Sequence, residues 1–334
     1  MCIRIRLSVG QPHNVSSANI DRMQTILGAN GQIAVELARD LNRRGSALRL
    51  VSRNPREVNA GDELTRADLL DAAQTAAAVK GSEVVYFTAG LPANAELWER
   101  QLPTMLRNAL DASRAAGAAF AYFDNTYMYP QDDRVQTEET PFAPLGRKGR
   151  VRAAMAEMVL DEMARGDIPV LIARAPEFYG PGRTQSFTNS LVLDPLLAGR
   201  KARVPVRDDR ARTLIWTPDA SRGLAELGTT PDAFGQTWHL PVHPDRLTYR
   251  ELIALAGEVF GIEPQYSVVP KWMLSAAGVF SAEARVIREL LPRYQYDNLF
   301  DSTKFRTRFP AFAITDHREG LAVIRDERRA SDGR

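Results

Sequence analysis

Between Met23 and Ala34 the chain reads MQTILGANGQIA, and this stretch constrains the fold more than any other. A short apolar strand runs into a turn with glycines at 28 and 31, and a helix begins at once. That helix carries Ile33, Leu37 and Leu41 on one stripe, Ala34 and Ala38 beside them, and Gly45 at its end. The spacing Gly28-x-x-Gly31-x-x-Ala34 has a steric reading. Gly28 permits a tight exit from the strand, Gly31 lets backbone amides approach a pyrophosphate with no Cβ in the way, and Ala34 lets the helix pack close to the sheet. The helix N-terminus adds free N–H groups and the positive end of a dipole. Gly28, Asn30, Gly31, Gln32 and Ile33 are therefore candidate diphosphate-binding residues. A plain strand-to-helix turn is the competing reading, so the context matters.

Strands and helices alternate from Met23 to about residue 174, the pattern of parallel βαβ units. Residues 47–51 read as a second strand, a segment around 64–70 as a third, and 71–79 as a short helix. Residues 83–87 are almost continuously apolar, as expected of a strand covered on both faces. A long helix spans 95–116 despite Pro103, and 118–123 is a fifth strand. After a polar loop, a helix carries Val151, Met155, Met158 and Val159 on one face and stops at Gly166; residues 168–174 form the sixth strand. The expected fold is α/β, a doubly wound parallel sheet (Rossmann fold) over 23–174, with ligands at the carboxyl ends of the strands. A smaller C-terminal substrate-binding lobe covers 175–325, parts of it returning to the main sheet, with an amphipathic helix at 248–260. Residues 1–22 read as an extension without structure, and 326–334 as a frayed charged tail.

Composition narrows the function classes. The 334 residues carry a formal charge of +2, too small to argue for a nucleic-acid surface. No run of about 18 apolar residues exists, so a membrane partner is not expected, and 1–22 lacks a secretory core. A cytoplasmic protein fits. The only cysteine, Cys2, excludes an internal disulfide. His239 and His243 have i, i+4 spacing, but Pro241 and Pro244 forbid the helix that would make them zinc ligands, so no metal is expected.

In dinucleotide folds of this kind a carboxylate at the tip of the second strand holds the adenine ribose. Here the tip is Val51-Ser-Arg-Asn-Pro55. Ser52 and Arg53 suit a 2′-phosphate, which favours NADP over NAD. Asp68, followed by Leu69, is placed to meet the adenine edge or to cap the next helix.

Together these residues resemble the short-chain dehydrogenase/reductase superfamily, in its extended or atypical branch called NAD-dependent epimerase/dehydratase-like. The resemblance spans Met23 to about Val323. It rests on the glycine turn, Ala67-Asp-Leu69, Val84-Val-Tyr-Phe-Thr-Ala-Gly90, Arg174-Ala-Pro-Glu-Phe-Tyr-Gly-Pro-Gly182 and Trp216-Thr-Pro-Asp-Ala-Ser-Arg222. It implies that Pro176 and Phe178 line a nicotinamide pocket, and that Thr88 and Ala89 lie near the cofactor's ribose and pyrophosphate. It also implies a homodimer through the helices at 95–116 and 149–165.

The chain departs from that family at the chemistry. Relatives usually carry a serine or threonine after the fifth strand, then Tyr-x-x-x-Lys at the next helix, the tyrosine acting as acid/base. Here Asn125 takes the hydroxyl position with Thr126 beside it, and the helix opens with Gly146-Arg-Lys-Gly-Arg-Val-Arg152. No one-residue slip brings a tyrosine into place. Cations at a helix N-terminus oppose the dipole, at a cost of about 0.3–1 kcal/mol each. Either this is a solvated basic turn, or Arg147, Lys148, Arg150 and Arg152 face an anion. A lysine in a dry cleft beside other cations is suited to proton transfer, and some atypical relatives resembling isoflavone reductase use a lysine for the tyrosine. Lys148 is thus the candidate acid/base, with Asn125, Thr126 or Tyr127 orienting the reacting oxygen and Tyr129 an alternative acid. Phe187, Trp216, Trp272 and Phe280 are candidates for an apolar substrate pocket, or core.

The expected function is hydride transfer between NADP and a small organic substrate. The alternative is a sensor that binds NADP(H) without turnover. Sugar-nucleotide epimerisation and dehydration are disfavoured: the one needs the missing tyrosine, the other acids at 126–127.

Overall fold

The computed structural model describes residues 23–92, 94–182, 184, 186–273 and 291–332. The extension at 1–22 and Phe280 lie outside them. The chain opens with β1 (Met23–Leu27), α1 (Gln32–Arg43), β2 (Ala47–Ser52), β3 (Glu63–Arg66), α2 (Ala72–Val79) and β4 (Val84–Phe87). Then come α3 (Ala95–Ala116), β5 (Ala119–Asp124), β6 (Val135–Gln136), α4 (Gly146–Arg165), β7 (Val170–Arg174) and β8 (Glu177–Tyr179). The second half holds α5 (Asp194–Leu197), β9 (Ala202–Pro205), β10 (Leu214–Trp216), α6 (Thr217–Gly228), β11 (Gln236–His239), α7 (Tyr249–Phe260) and β12 (Tyr266–Val269). The strand β13 (Leu299–Phe300) and the helices α8 (Thr303–Arg308) and α9 (His317–Asp332) close the described chain.

Seven parallel strands form the main sheet in the order β11-β7-β5-β4-β1-β2-β3. Strand alternation divides its side chains between two layers. Ile26, Leu50, Tyr86, Ala121 and Leu171 meet α1 and α6 on one face. Leu27, Val51, Phe87, Tyr122 and Ile172 meet α2, α3 and α4 on the other. The apolar stripe read from the sequence is the buried side of α1: Ala34, Leu37, Ala38 and Leu41 are fully covered. Helix α3 runs unbroken through Pro103, whose missing N–H and ring would ordinarily cost about 3 kcal/mol. Burial of Trp98, Leu102, Leu106 and Leu110, at about 1.5–3 kcal/mol each, outweighs that cost.

The chain past residue 174 is not all a separate lobe. Strand β11 pairs with β7 as the seventh strand, and α6 packs beside α1. The remainder forms a third core in which Tyr179, Leu193, Trp216, Leu252 and Leu321 come together. Helix α7 starts at a capping box, with Thr248 accepting from the Glu251 N–H and Glu251 accepting from the Thr248 N–H. The tail does not fray at Arg325: α9 continues to Asp332, and Glu327 within it accepts the Gly182 N–H at 2.8 Å. Paired ends at Leu27, Val51 and Phe87 set the carboxyl termini of β1, β2 and β4 level, so the loops that follow converge.

Candidate active site

A cavity of about 900 Å³ runs along that edge, on both sides of the point where the strand order reverses between β1 and β4. Its size suits a dinucleotide with a small partner. Gly28, Asn30, Gly31, Gln32 and Ile33 line it, as do Ser52, Arg53, Asp68, Leu69, Thr88 and Ala89. So do Asn125, Tyr127, Lys148 and Phe178. Pro176 and Thr126 do not: both are buried, and the Thr126 hydroxyl lies 3.4 Å from the Arg293 guanidinium.

The first turn is sterically tight. Gly28 sits at φ +92°, and a Cβ there would lie 2.6 Å from the Ala89 Cα. Gly28 and Ala29 both donate to the Val51 carbonyl, at 3.0 and 3.1 Å, which ties the turn to the end of β2. Helix α1 then begins at Gly31 with no side-chain cap and no acid in its first turn, so the orphan amides face the cavity edge without competition. At the tip of β2, Ser52 Oγ accepts the Asn54 N–H at 3.2 Å, and Asn30 Nδ2 donates to the Asn54 carbonyl at 2.8 Å. Arg53 is exposed there and has no ion-pair partner among the described residues. Asp68 is not the cap of α2. Asp71 fills that place, accepting the Gln74 N–H, while Asp68 accepts from Leu70 N–H at 3.0 Å.

The basic entrance of α4 splits in two. Arg147 and Arg150 are exposed, and Arg147 pairs with Glu99 of α3. Lys148 and Arg152 turn inward, 1% and 8% exposed, and both line the cavity. Both also lie against Trp98, with Lys148 Nζ 5.7 Å and the Arg152 guanidinium 4.9 Å from the ring centroid. Asn125 Oδ1 accepts the Tyr127 N–H at 3.0 Å, and the Tyr127 ring stacks on Trp98. Phe178 stacks on Phe123, both of them lining the cavity, and Phe187 lines it as well. Trp98 was missed in the sequence because, within α3, it reads as one more core residue. Of the other apolar candidates, Trp216 is core against Tyr179, and Trp272 is 71% exposed and does not line this cavity.

Tyr129 belongs to the scaffold instead of the cavity. Arg174 donates to its hydroxyl at 2.8 Å and to Asp124 at 3.2 Å. The hydroxyl donates to His239 Nε2 at 2.8 Å, because His239 Nδ1 donates to the Asp301 carbonyl at 2.7 Å and fixes the tautomer. Burial pushes the Tyr129 hydroxyl up to about 12 and His239 down to about 3. A second buried centre underlies the lobe. Glu177 accepts from Arg212 at 2.6 Å and from Tyr249, Tyr294 and Thr188 at 2.8–3.1 Å. Burial alone would raise its pKa, but Arg212, Arg293 and the hydrogen bonds outweigh burial and hold it at about 2.

A family model described as the NAD dependent epimerase/dehydratase family matches residues 25–236, which takes in the glycine turn and both walls of the cavity. The chain belongs to the NAD dependent epimerase/dehydratase family. It is therefore an NAD(P)-dependent enzyme of the oxidoreductase type. It is 29% identical over 262 residues to a ceramide reductase of Caulobacter vibrioides (strain NA1000 / CB15N), covering 76% of this chain and 75% of that one. It is 25% identical over 283 residues to a dTDP-4-dehydrorhamnose reductase of Streptomyces griseus, covering 76% and 87%. A solved structure of MoeE5 in complex with UDP-glucuronic acid and NAD superposes with a TM-score of 0.74 at 22% identity, covering 93% of this chain and 99% of that one. The family's cofactor fits what is present here. The Gly28 cradle, which a Cβ would fill, and the uncapped N-terminus of α1 are the donor set a diphosphate needs. Among the described residues no helix is long and apolar enough to cross a membrane.

Proposed function

We propose that this family member is an NADP-dependent reductase or dehydrogenase, moving a hydride to or from carbon in a small organic substrate, with Lys148 handling the proton. The burial of Lys148 carries this reading. Cationic side chains at a helix entrance ordinarily extend into water, as Arg147 and Arg150 do, whereas Lys148 is sealed into the cavity wall. Bound with its diphosphate at the first turn, the nicotinamide supplies or takes up the hydride. Ser52 and Arg53 read the 2′-phosphate, with the guanidinium as its charged partner. Lys148 gives its proton to the substrate oxygen during reduction and takes one back in the reverse direction. The Asn125 carboxamide, its Oδ1 engaged by Tyr127 N–H, serves that oxygen as a donor, and Tyr127 lines the same cavity. Two relatives are named as reductases, which supports the reductive direction.

The test follows NADPH consumption against a panel of carbonyl and enone compounds. Turnover is expected with at least one of them, and Lys148→Met should lower kcat by about 10²–10⁴-fold while calorimetry shows NADPH still bound. Tight NADPH binding with no consumption across the panel would count against carbonyl and enone reduction as the reaction. Full turnover in Lys148→Met would remove the lysine from the chemistry.

A further inference from the structure

Two aromatic rings of the cavity wall, Tyr127 and Phe187, are only half-buried. Tyr127 comes from the loop after β5 and Phe187 from the segment after β8, and both pack on the third core. Leu91 and Pro92 line the cavity too, joined to Tyr127 through Trp98. The Trp98 indole N–H reaches their carbonyls at 3.3 and 2.8 Å, and its ring backs Tyr127. The hydroxyls near these rings are occupied within the protein. Ser186 donates to the Phe178 carbonyl, Ser190 to the Phe187 carbonyl at 3.4 Å, and Thr217 Oγ1 accepts from Gln32.

Charge is committed elsewhere. Among the described residues that line the cavity, the charged ones are Arg53, Asp68, Asp124, Lys148 and Arg152. Arg53 and Asp68 stand just beyond β2 and β3, at the adenine end. Asp124 is buried against Arg174 at 3.2 Å. Arg152 stands four residues after Lys148, the place of the lysine with which relatives hold the cofactor ribose. Arg212 donates to Glu177 at 2.6 Å, a carboxylate that Arg293 also stabilises, and neither guanidinium lines the cavity.

We propose that the substrate is an uncharged carbonyl compound with an aromatic body, its ring lodged against Tyr127 and Phe187 and its oxygen at Lys148. This rests on the reading of the cavity as the active site with Lys148 handling the proton, and it narrows the substrate class. A flat neutral guest gains by burial and by offset stacking on the two rings. A carboxylate or diphosphate entering the same space loses its water and finds no charged partner, since Lys148 is engaged by the carbonyl oxygen.

The experiment measures binding to NADP-saturated protein by ligand-observed NMR. Its probes are 2-acetonaphthone, 6-acetyl-2-naphthoate, which adds a carboxylate to the same ring and ketone, and UDP-glucuronic acid. The neutral ketone should bind about tenfold or more tightly than either anion. Phe187→Ala should weaken the ketone about fivefold or more and leave NADP affinity within about twofold. Either anion binding as tightly as the ketone overturns the proposal, as does unchanged ketone affinity in folded Phe187→Ala. If Phe187→Ala does not fold, the three probes on the native protein decide alone. NADPH consumption with the ketone is followed separately, so its absence counts against hydride transfer, while the selectivity stands or falls on the NMR.

Discussion

Trp98 of α3 stacks on Tyr127, the two rings 6.2 Å apart and 15° from parallel, and so joins the helix layer to the loop that leaves β5. The indole N–H donates to the Pro92 carbonyl at 2.8 Å, fixing the ring from the side of the β4 loop as well. Three segments of the cavity wall therefore meet on one side chain. Trp98→Phe keeps the stack and should cost about 1 kcal/mol, the value of one hydrogen bond. Trp98→Leu should cost about 2–4 kcal/mol and reduce kcat as well, because Tyr127 and the two cations lose their common support. Chemical denaturation and steady-state kinetics on the two variants check this. Equal stability losses would mean that the stack contributes nothing.

Gly28→Ala tests the first turn. The substitution places a Cβ against the Ala89 backbone and forces a side chain into a positive-φ conformation, so neither neighbour can yield cheaply. A loss of about 3 kcal/mol or more in stability is expected, with NAD(P) affinity falling at least about tenfold. Calorimetry on the folded fraction would show the second effect independently of the first.

Arg53→Ser should separate the two dinucleotides. If the guanidinium reads the 2′-phosphate, NADPH affinity falls about 10- to 100-fold, while NADH affinity stays within about twofold. A parallel loss for both cofactors would assign Arg53 to the turn's structure instead.

His239 gives the protein an acid-sensitive joint. Burial holds its folded pKa near 3, against an ordinary 6.5, with the Asp301 carbonyl bond opposing only part of that shift. Between those values the unfolded chain binds the proton and the folded one does not. The stabilising contribution is therefore complete above about pH 6.5 and is lost as pH falls toward 3, at up to about 1.4 kcal/mol per unit. Thermal melts between pH 7 and 4 should show this decline, and His239→Gln, which still offers Tyr129 an acceptor, should flatten it. Glu177, held at about 2, adds its own loss only below its ordinary value of 4.5.

Much of the architecture was legible in one dimension. The glycine turn, the stripe of α1, the apolar β4 and the amphipathic helix at 248–260 are each specified by residues within a few positions of one another, since backbone sterics and helical periodicity act over that range. The seventh strand was not: Gln236-Thr-Trp-His239 is only four residues long with a single β-branched side chain, Thr237, and its place beside β7 is what makes it a strand. Four basic residues within Arg147–Arg152 look alike in the sequence, yet two are solvated and two line the cavity. Glu177 meets Arg212 across 35 residues, and Tyr129 meets His239 across 110. Which charge is buried, and against what, depends on the surfaces that the topology brings together. Solvation and pairing of an ionic group are set by its whole surroundings, and local sequence carries no record of them.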